Sequence, residues 1–246
     1  MERSKWIVCL SALCLLIVPS LVGAADYVGS EKCGMCHKEV YDRWKVSLHN
    51  KSQQELSPAN DRVVVDWKGV LKLKGGNIPE FTVKLTKKNG DYFATLVDTQ
   101  NPAVETTYKV VRTYGGWGWK QRYQVKIGNM HYILPIQWNQ ATSRWVAYNP
   151  HWWYSENGSL KTPAARNSFE LDCAGCHNTG LVIARDAKGV EVKYSELNTG
   201  CEKCHGPGSG HMESPKAGTI INPKKLAYER NLEACGMCHS RGVSKP

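Results

Sequence analysis

A five-residue pattern, Cys-x-x-Cys-His, occurs four times in this chain. The copies are Cys33-Gly34-Met35-Cys36-His37, Cys173-Ala174-Gly175-Cys176-His177, Cys201-Glu202-Lys203-Cys204-His205 and Cys235-Gly236-Met237-Cys238-His239. Nothing else in the 246 residues restricts the fold as strongly. The spacing is that of c-type haem attachment. Two residues between the cysteines let both sulfurs reach the vinyl positions along one porphyrin edge, and the histidine directly after them turns its imidazole under the iron. Zinc sites give no reason for a histidine after every pair. Disulfides impose no such repeat, and a thioredoxin-like pair would occur once, beside a βαβ pattern. Cys33, Cys36, Cys173, Cys176, Cys201, Cys204, Cys235 and Cys238 are therefore expected to hold four covalent haem c groups. His37, His177, His205 and His239 are expected to be the first iron ligands.

The chain has eight histidines. The four outside the motifs are His49, His131, His151 and His211, and four irons with two axial imidazoles each need eight. All four are therefore expected to be distal ligands, with methionine as the rival donor, since Met130 and Met212 each adjoin a histidine. The sequence leaves the pairing open. His211 follows His205 by six residues, across Gly206-Pro207-Gly208-Ser209-Gly210, a turn that would swing it toward a neighbouring haem. His49 lies twelve residues beyond His37, past an expected helix around Glu39–Trp44, and is likewise expected to serve another haem. Iron held on both faces has no axial position for a substrate, so electrons would pass through the porphyrin edge. No catalytic residue is expected.

Residues 1–24 read as a secretory leader: Arg3 and Lys5, an apolar run from Trp6 to Val22, then Gly23-Ala24-Ala25 as a small-residue cleavage site. Its removal leaves about 220 residues and takes two further cysteines, Cys9 and Cys14, with it. Later segments fall short of the roughly 20 apolar residues of a membrane span. The chain is thus expected to be exported, to the extracellular side or outer surface, with the periplasm as the alternative. Its formal charge of +10 does not signal nucleic-acid binding. The lysines are scattered, and the propionates of four oxidised haems would offset about four units.

The motifs divide the chain unevenly into an N-terminal haem segment (25–57), a haem-free β-rich segment (58–160) and a C-terminal three-haem segment (161–246). In the middle, Phe81–Leu85 alternates, Asn89-Gly90 marks a tight turn and Tyr92–Val97 returns. Further strands are expected at Thr106–Tyr114, Gln121–Ile127, His131–Gln137 and Arg144–Tyr148, with a second turn at Gly128-Asn129. Gly115-Gly116-Trp117-Gly118-Trp119 lacks the frame of a phosphate loop and reads as a plain loop. The C-terminal third, rich in Gly, Pro and Lys, is expected to be short helices and loops wrapped around cofactors. The fold class is α+β with much irregular structure, a haem-packed multihaem cytochrome with a central antiparallel β-rich insert.

Three stretches resemble the cytochrome c-554-type multihaem family. They are Tyr27–Cys33 continuing through Trp44 to Ser47-Leu48-His49; Trp119–Tyr123 with Leu134–Trp138; and Gly200–His211. Size, haem number and leader are most similar to the polymerising extracellular tetrahaem cytochromes of metal-reducing bacteria, the OmcE-type nanowire subunits. That resemblance implies a homopolymer with head-to-tail contacts, one axial histidine coming from the adjacent subunit, and transfer to other redox proteins or external acceptors. With Cys33 near one end of the chain and His239 near the other, the first and last haems are expected near opposite exits. The competing readings are a soluble periplasmic shuttle and a reductase with one open iron.

Overall fold

The computed structural model describes residues 25–186 and 189–240. The expected leader, with Cys9 and Cys14, lies outside the described residues. Alternation in the middle of the chain produces a run of antiparallel strands after a short first strand, β1 (Gln53–Glu55): β2 (Gly69–Gly75), β3 (Ile78–Lys88), β4 (Asp91–Val97), β5 (Glu105–Gly115), β6 (Lys120–Ile127), β7 (Met130–Asn139) and β8 (Arg144–Ala147). Strands β2 to β8 pair in sequence order, and β1 adds to β5. Asn89 and Gly90 have φ of 53° and 83°, the left-handed pair that a two-residue hairpin between right-twisted strands requires. At Gly75 a side chain would come within 2.7 Å of the Ala147 Cβ on β8, so glycine lets β2 close on β8 and the sheet curls into a nearly complete barrel.

Phe81, Val83 and Leu85 point into that barrel and are buried. Such side chains each contribute about 1.5–3 kcal/mol by leaving water. Trp67 fills the centre against Tyr123, Tyr92 and Trp145, with ring centroids 4.5, 5.7 and 5.6 Å away. Its Nε1–H donates to the Phe93 carbonyl at 2.8 Å. A second, smaller core lies on the outer face of the sheet, where Ile133 of β7 meets Phe169 and Ala174. The barrel is thereby a filled platform that carries the second motif on its outside.

Around it lie α1 (Ser30–Gly34), α2 (Lys38–Lys45), α3 (Leu48–Lys51), α4 (Phe169–Asp172), α5 (Ala174–His177), α6 (Cys201–His205), α7 (Ser209–Glu213) and α8 (Tyr228–His239). Strand β9 (Asn178–Thr179) pairs with β12 (Glu196–Leu197), and β10 (Val182–Asp186) with β11 (Gly189–Lys193). The sheet is larger than the six strands expected, because β1 adds to β5 and Val70-Leu71-Lys72-Leu73, between two glycines, forms β2. The C-terminal third also holds two small strand pairs rather than helices and loops alone. None of the described helices is long and apolar enough to cross a membrane.

Candidate haem centres

Each motif is shaped locally by a short helix. Motif 1 spans the joint between α1 and α2, motif 2 makes α5, motif 3 makes α6, and motif 4 forms the last turns of α8. Motif 3 is anchored by its own second residue. Glu202, 1% exposed, accepts hydrogen bonds from the backbone N–H of Val28, Gly29 and Gly208 at 2.7–3.0 Å. Three backbone donors converging on one buried carboxylate tie the N-terminal segment onto α6. Ser30 links the same two regions, accepting from the Cys201 N–H at 2.9 Å and donating to Glu196 at 2.8 Å.

These ties bring the motifs together in an order that differs from the sequence. The Cys33 and Cys201 thiols are in hydrogen-bond contact, joining motifs 1 and 3, and burial pushes the Cys33 thiol up to about 11. Cys204 of motif 3 feels Cys235 of motif 4. The Cys238 thiol reaches Cys176, joining motifs 4 and 2. Lys203 Nζ donates to the Gly175 carbonyl at 2.5 Å, so motif 3 also adjoins motif 2. Burial pushes the Cys173 thiol up to about 12. The described cysteines are not disulfide-linked, and among the described residues no three His, Cys, Asp or Glu side chains converge as a bare ion would require.

The histidines instead meet in twos. His37 and His211 stand with ring centroids 6.3 Å apart and planes inclined by 15°. His49 and His239 stand 6.1 Å apart at 68°. Direct stacking would bring rings closer. Two imidazoles that share a metal, each at a nitrogen–metal distance of about 2 Å, have centroids about 6 Å apart. His211 is oriented for this, since its Nδ1–H donates at 2.8 Å to Thr219 Oγ1, whose own proton goes to backbone carbonyls. His205 is fixed likewise, with Nδ1–H donating to the Ile221 carbonyl at 2.7 Å. Such outer partners set the tautomer and leave Nε2 for the metal.

The other expected ligands are placed differently. His177 sits in the small outer core, where its Nε2 and the Tyr114 hydroxyl are 2.6 Å apart. Burial, then the charges of Arg122 and Lys203, keep its imidazole neutral. Burial also holds the Tyr114 phenol protonated, well above the usual tyrosine range. His131, on β7, is clamped by Glu170 of α4: Nδ1–H donates to one carboxylate oxygen at 2.6 Å and the backbone N–H to the other at 2.9 Å. His151 is exposed beside Trp152. The structure does not bring His131 or His151 into ring contact with a motif histidine among the described residues. Tyr114, Glu170 and Thr219 were not singled out from sequence, and no local motif marks them.

The family model for cytochrome c554 and c-prime matches residues 32–73 and 139–206. Over these two stretches, 110 of its 246 residues, the chain is similar to the c554-type multihaem cytochromes. The match takes in motifs 1 to 3 with His49 and His151, and leaves out most of the barrel and motif 4. In fold, the chain is similar to the outer cell wall cytochrome OcwA, with a TM-score of 0.54 and 22% identity over 89% of this chain and 38% of that one. It is also similar to an undecahaem cytochrome from the S-layer of Carboxydothermus ferrireducens, with a TM-score of 0.48 and 17% identity over 91% of this chain and 27% of that one. The chain thus spans well under half of either structure. Comparison with curated proteins returns no match.

The residues present fit haem on two counts. The two histidine pairs have the spacing of a shared metal. Large apolar side chains that have no place in the barrel, among them Met35, Val40, Leu48, Ile221, Leu232 and Met237, are exposed along the motif-bearing segments. The short helices there build little core of their own, as in small domains that depend on a cofactor.

Proposed function

We propose that this protein is a c-type cytochrome, a tetrahaem electron carrier with one covalent haem at each motif, acting outside the cell as the subunit of a head-to-tail filament that passes electrons to external acceptors. The observation that carries the reading is the pair of histidine couples at 6.3 and 6.1 Å. On this reading His37 and His211 hold one iron, and His239 and His49 another. Each spare histidine then serves a haem other than its sequence neighbour's, and this shared ligation locks the centres together. Haem iron supplies a reversible one-electron couple. The chain's part is to fix the imidazoles and hold the four sites in contact.

His131, oriented by Glu170 next to motif 2, and His151, exposed at the surface, remain for the irons at His177 and His205. His151 stands on the rim between two surface depressions of about 410 and 210 Å³, accessible to another copy of the chain. A contact between unlike surfaces generates an open filament unless its rotation closes, and the resemblance to polymerising tetrahaem cytochromes supports that choice. The names of the two structural neighbours, outer cell wall and S-layer proteins, agree with an extracellular place.

The test is mass and spectrum together. The exported protein should weigh the polypeptide plus four haems, its oxidised spectrum should be wholly low-spin, and electron microscopy should show filaments. Fewer haems would overturn the count, and a monodisperse monomer would overturn the filament. One observation favours a second reading: the ligating nitrogen of His177 faces a tyrosine. A high-spin signal that responds to nitrite or hydroxylamine would favour a reductase with one open iron.

A further inference from the structure

Arg122 is the unusual charge of this molecule. It sits on β6, on the outer side of the sheet, with its guanidinium 4.2 Å from the Tyr148 ring centre and 5.6 Å from that of Tyr114. Its Nε–H donates to Gln137 Oε1 at 3.0 Å. Among the described residues no carboxylate forms an ion pair with it, whereas Arg112, one strand over, is paired with Glu55 at 3.0 Å. A half-buried guanidinium without a counter-ion is costly unless an anion completes it. Two aromatic faces and an amide orient Arg122, leaving its two terminal nitrogens as a fork suited to a carboxylate.

Its position links it to one centre only. Tyr114 touches both Arg122 and His177, its ring lying 4.9 Å from the imidazole. The positive charge is felt at His177 and Cys173, the last and first residues of motif 2. Lys203, the other cation near this motif, spends its ammonium on the Gly175 carbonyl. Asp172 is the acid on the same side and lies against the Cys173 thiol.

We propose that Arg122 receives a carboxylate of the haem tethered at motif 2 and, as the fixed cation beside that iron, raises its potential above what bis-imidazole ligation alone would give. Ferric iron carries one more positive charge than ferrous, so a nearby cation disfavours the oxidised form and favours the reduced one. Loss of the charge therefore moves the couple to more negative potential. This deepens the tetrahaem reading and rests on motif 2 carrying haem.

The experiment is a redox titration of the full-length exported protein, wild type against R122Q and R122K, after mass measurement has shown four haems in each. R122Q should shift one of the four components so that its oxidised-to-reduced ratio at fixed potential rises about tenfold, equivalent to about 59 mV for one electron, and leave the other three in place. R122K, which keeps the charge but loses the fork, should hold most of the wild-type potential. The wild-type component should be indifferent to added inorganic phosphate, because a tethered carboxylate already fills the site. Four unmoved components in R122Q, an equal shift in R122K, or a wild-type potential that follows phosphate concentration would each overturn the proposal. A protein short of one haem would instead indict the tetrahaem reading. If R122Q fails to assemble, R122K and the phosphate series still decide.

Discussion

The imidazole of His211 is steered by a residue eight positions away. Thr219 gives its proton to the Ser214 and Lys216 carbonyls and turns a lone pair to His211 Nδ1, so the ring presents Nε2 with its plane nearly parallel to His37. Partners of this kind are worth about 10–100-fold in metal affinity. If His211 is an axial ligand of the proposed tetrahaem protein, T219V should therefore loosen it, seen as partial high-spin character in one of the four centres, while H211A should convert that centre fully. H49A should do the same at a different centre, the one at motif 4. External imidazole should restore the low-spin spectrum in both alanine variants. If H211A and H49A disturb the same component, the pairing drawn from the ring spacings is wrong. In the sequence, the count of eight histidines against four expected irons put His211 and His49 among the candidate ligands. The sequence was silent on Thr219, because a threonine between lysine-rich turns carries no pattern until the chain folds over it. Tyr114 was hidden for the same reason, read only as one residue of a strand.

Among elements, the joint between the barrel and the motif-bearing helices rests on buried carboxylates. Glu170 of α4 binds both Nδ1 and the backbone N–H of His131 on β7. Burial pushes its carboxyl up, but the hydrogen bonds from His131 outweigh that and hold it below the usual glutamate range. A depressed value means that the stabilisation is present at neutral pH and is lost as pH falls through the folded-state value, below the ordinary glutamate pKa of about 4.3. E170Q should cost about 1–3 kcal/mol at pH 7, read as a lower urea midpoint, and the gap from wild type should narrow at pH 3. An unchanged gap at low pH would show that charge is not the link. E202Q, which weakens a carboxylate serving three backbone donors, should cost about 2 kcal/mol by the same measure. An E202Q midpoint equal to wild type would mean that the N-terminal segment is held by other contacts. These joints were illegible in sequence, since neither glutamate belongs to a motif that signals burial. The strands were legible. Phe81–Leu85 and Tyr92–Val97 alternate around Asn89-Gly90, and all six expected strands lie within or at the edges of the observed ones. β2 was not among the expected strands; it is bounded by two glycines, of which Gly75 lets β8 approach.

At the scale of the whole molecule, the first and last motif segments were expected near opposite exits, because Cys33 and His239 lie near the two ends of the chain. Among the described residues, however, α3 of the first segment brings His49 to 6.1 Å from His239 of α8, so these two segments meet. Motif 1 adjoins motif 3, and motif 3 adjoins both 2 and 4. For the proposed filament, the contact is to be sought at an exposed histidine outside these joined motifs, and His151, next to Pro150 and Trp152, meets that description. If His151 completes an iron of the next copy, H151A should do two things together. Sedimentation should show monomers in place of polymer, and one centre per chain should turn high-spin, with free imidazole restoring the spectrum but not the assembly. Loss of polymer without a spectral change would make His151 a mere contact residue. A spectral change without loss of polymer would place its iron within its own chain.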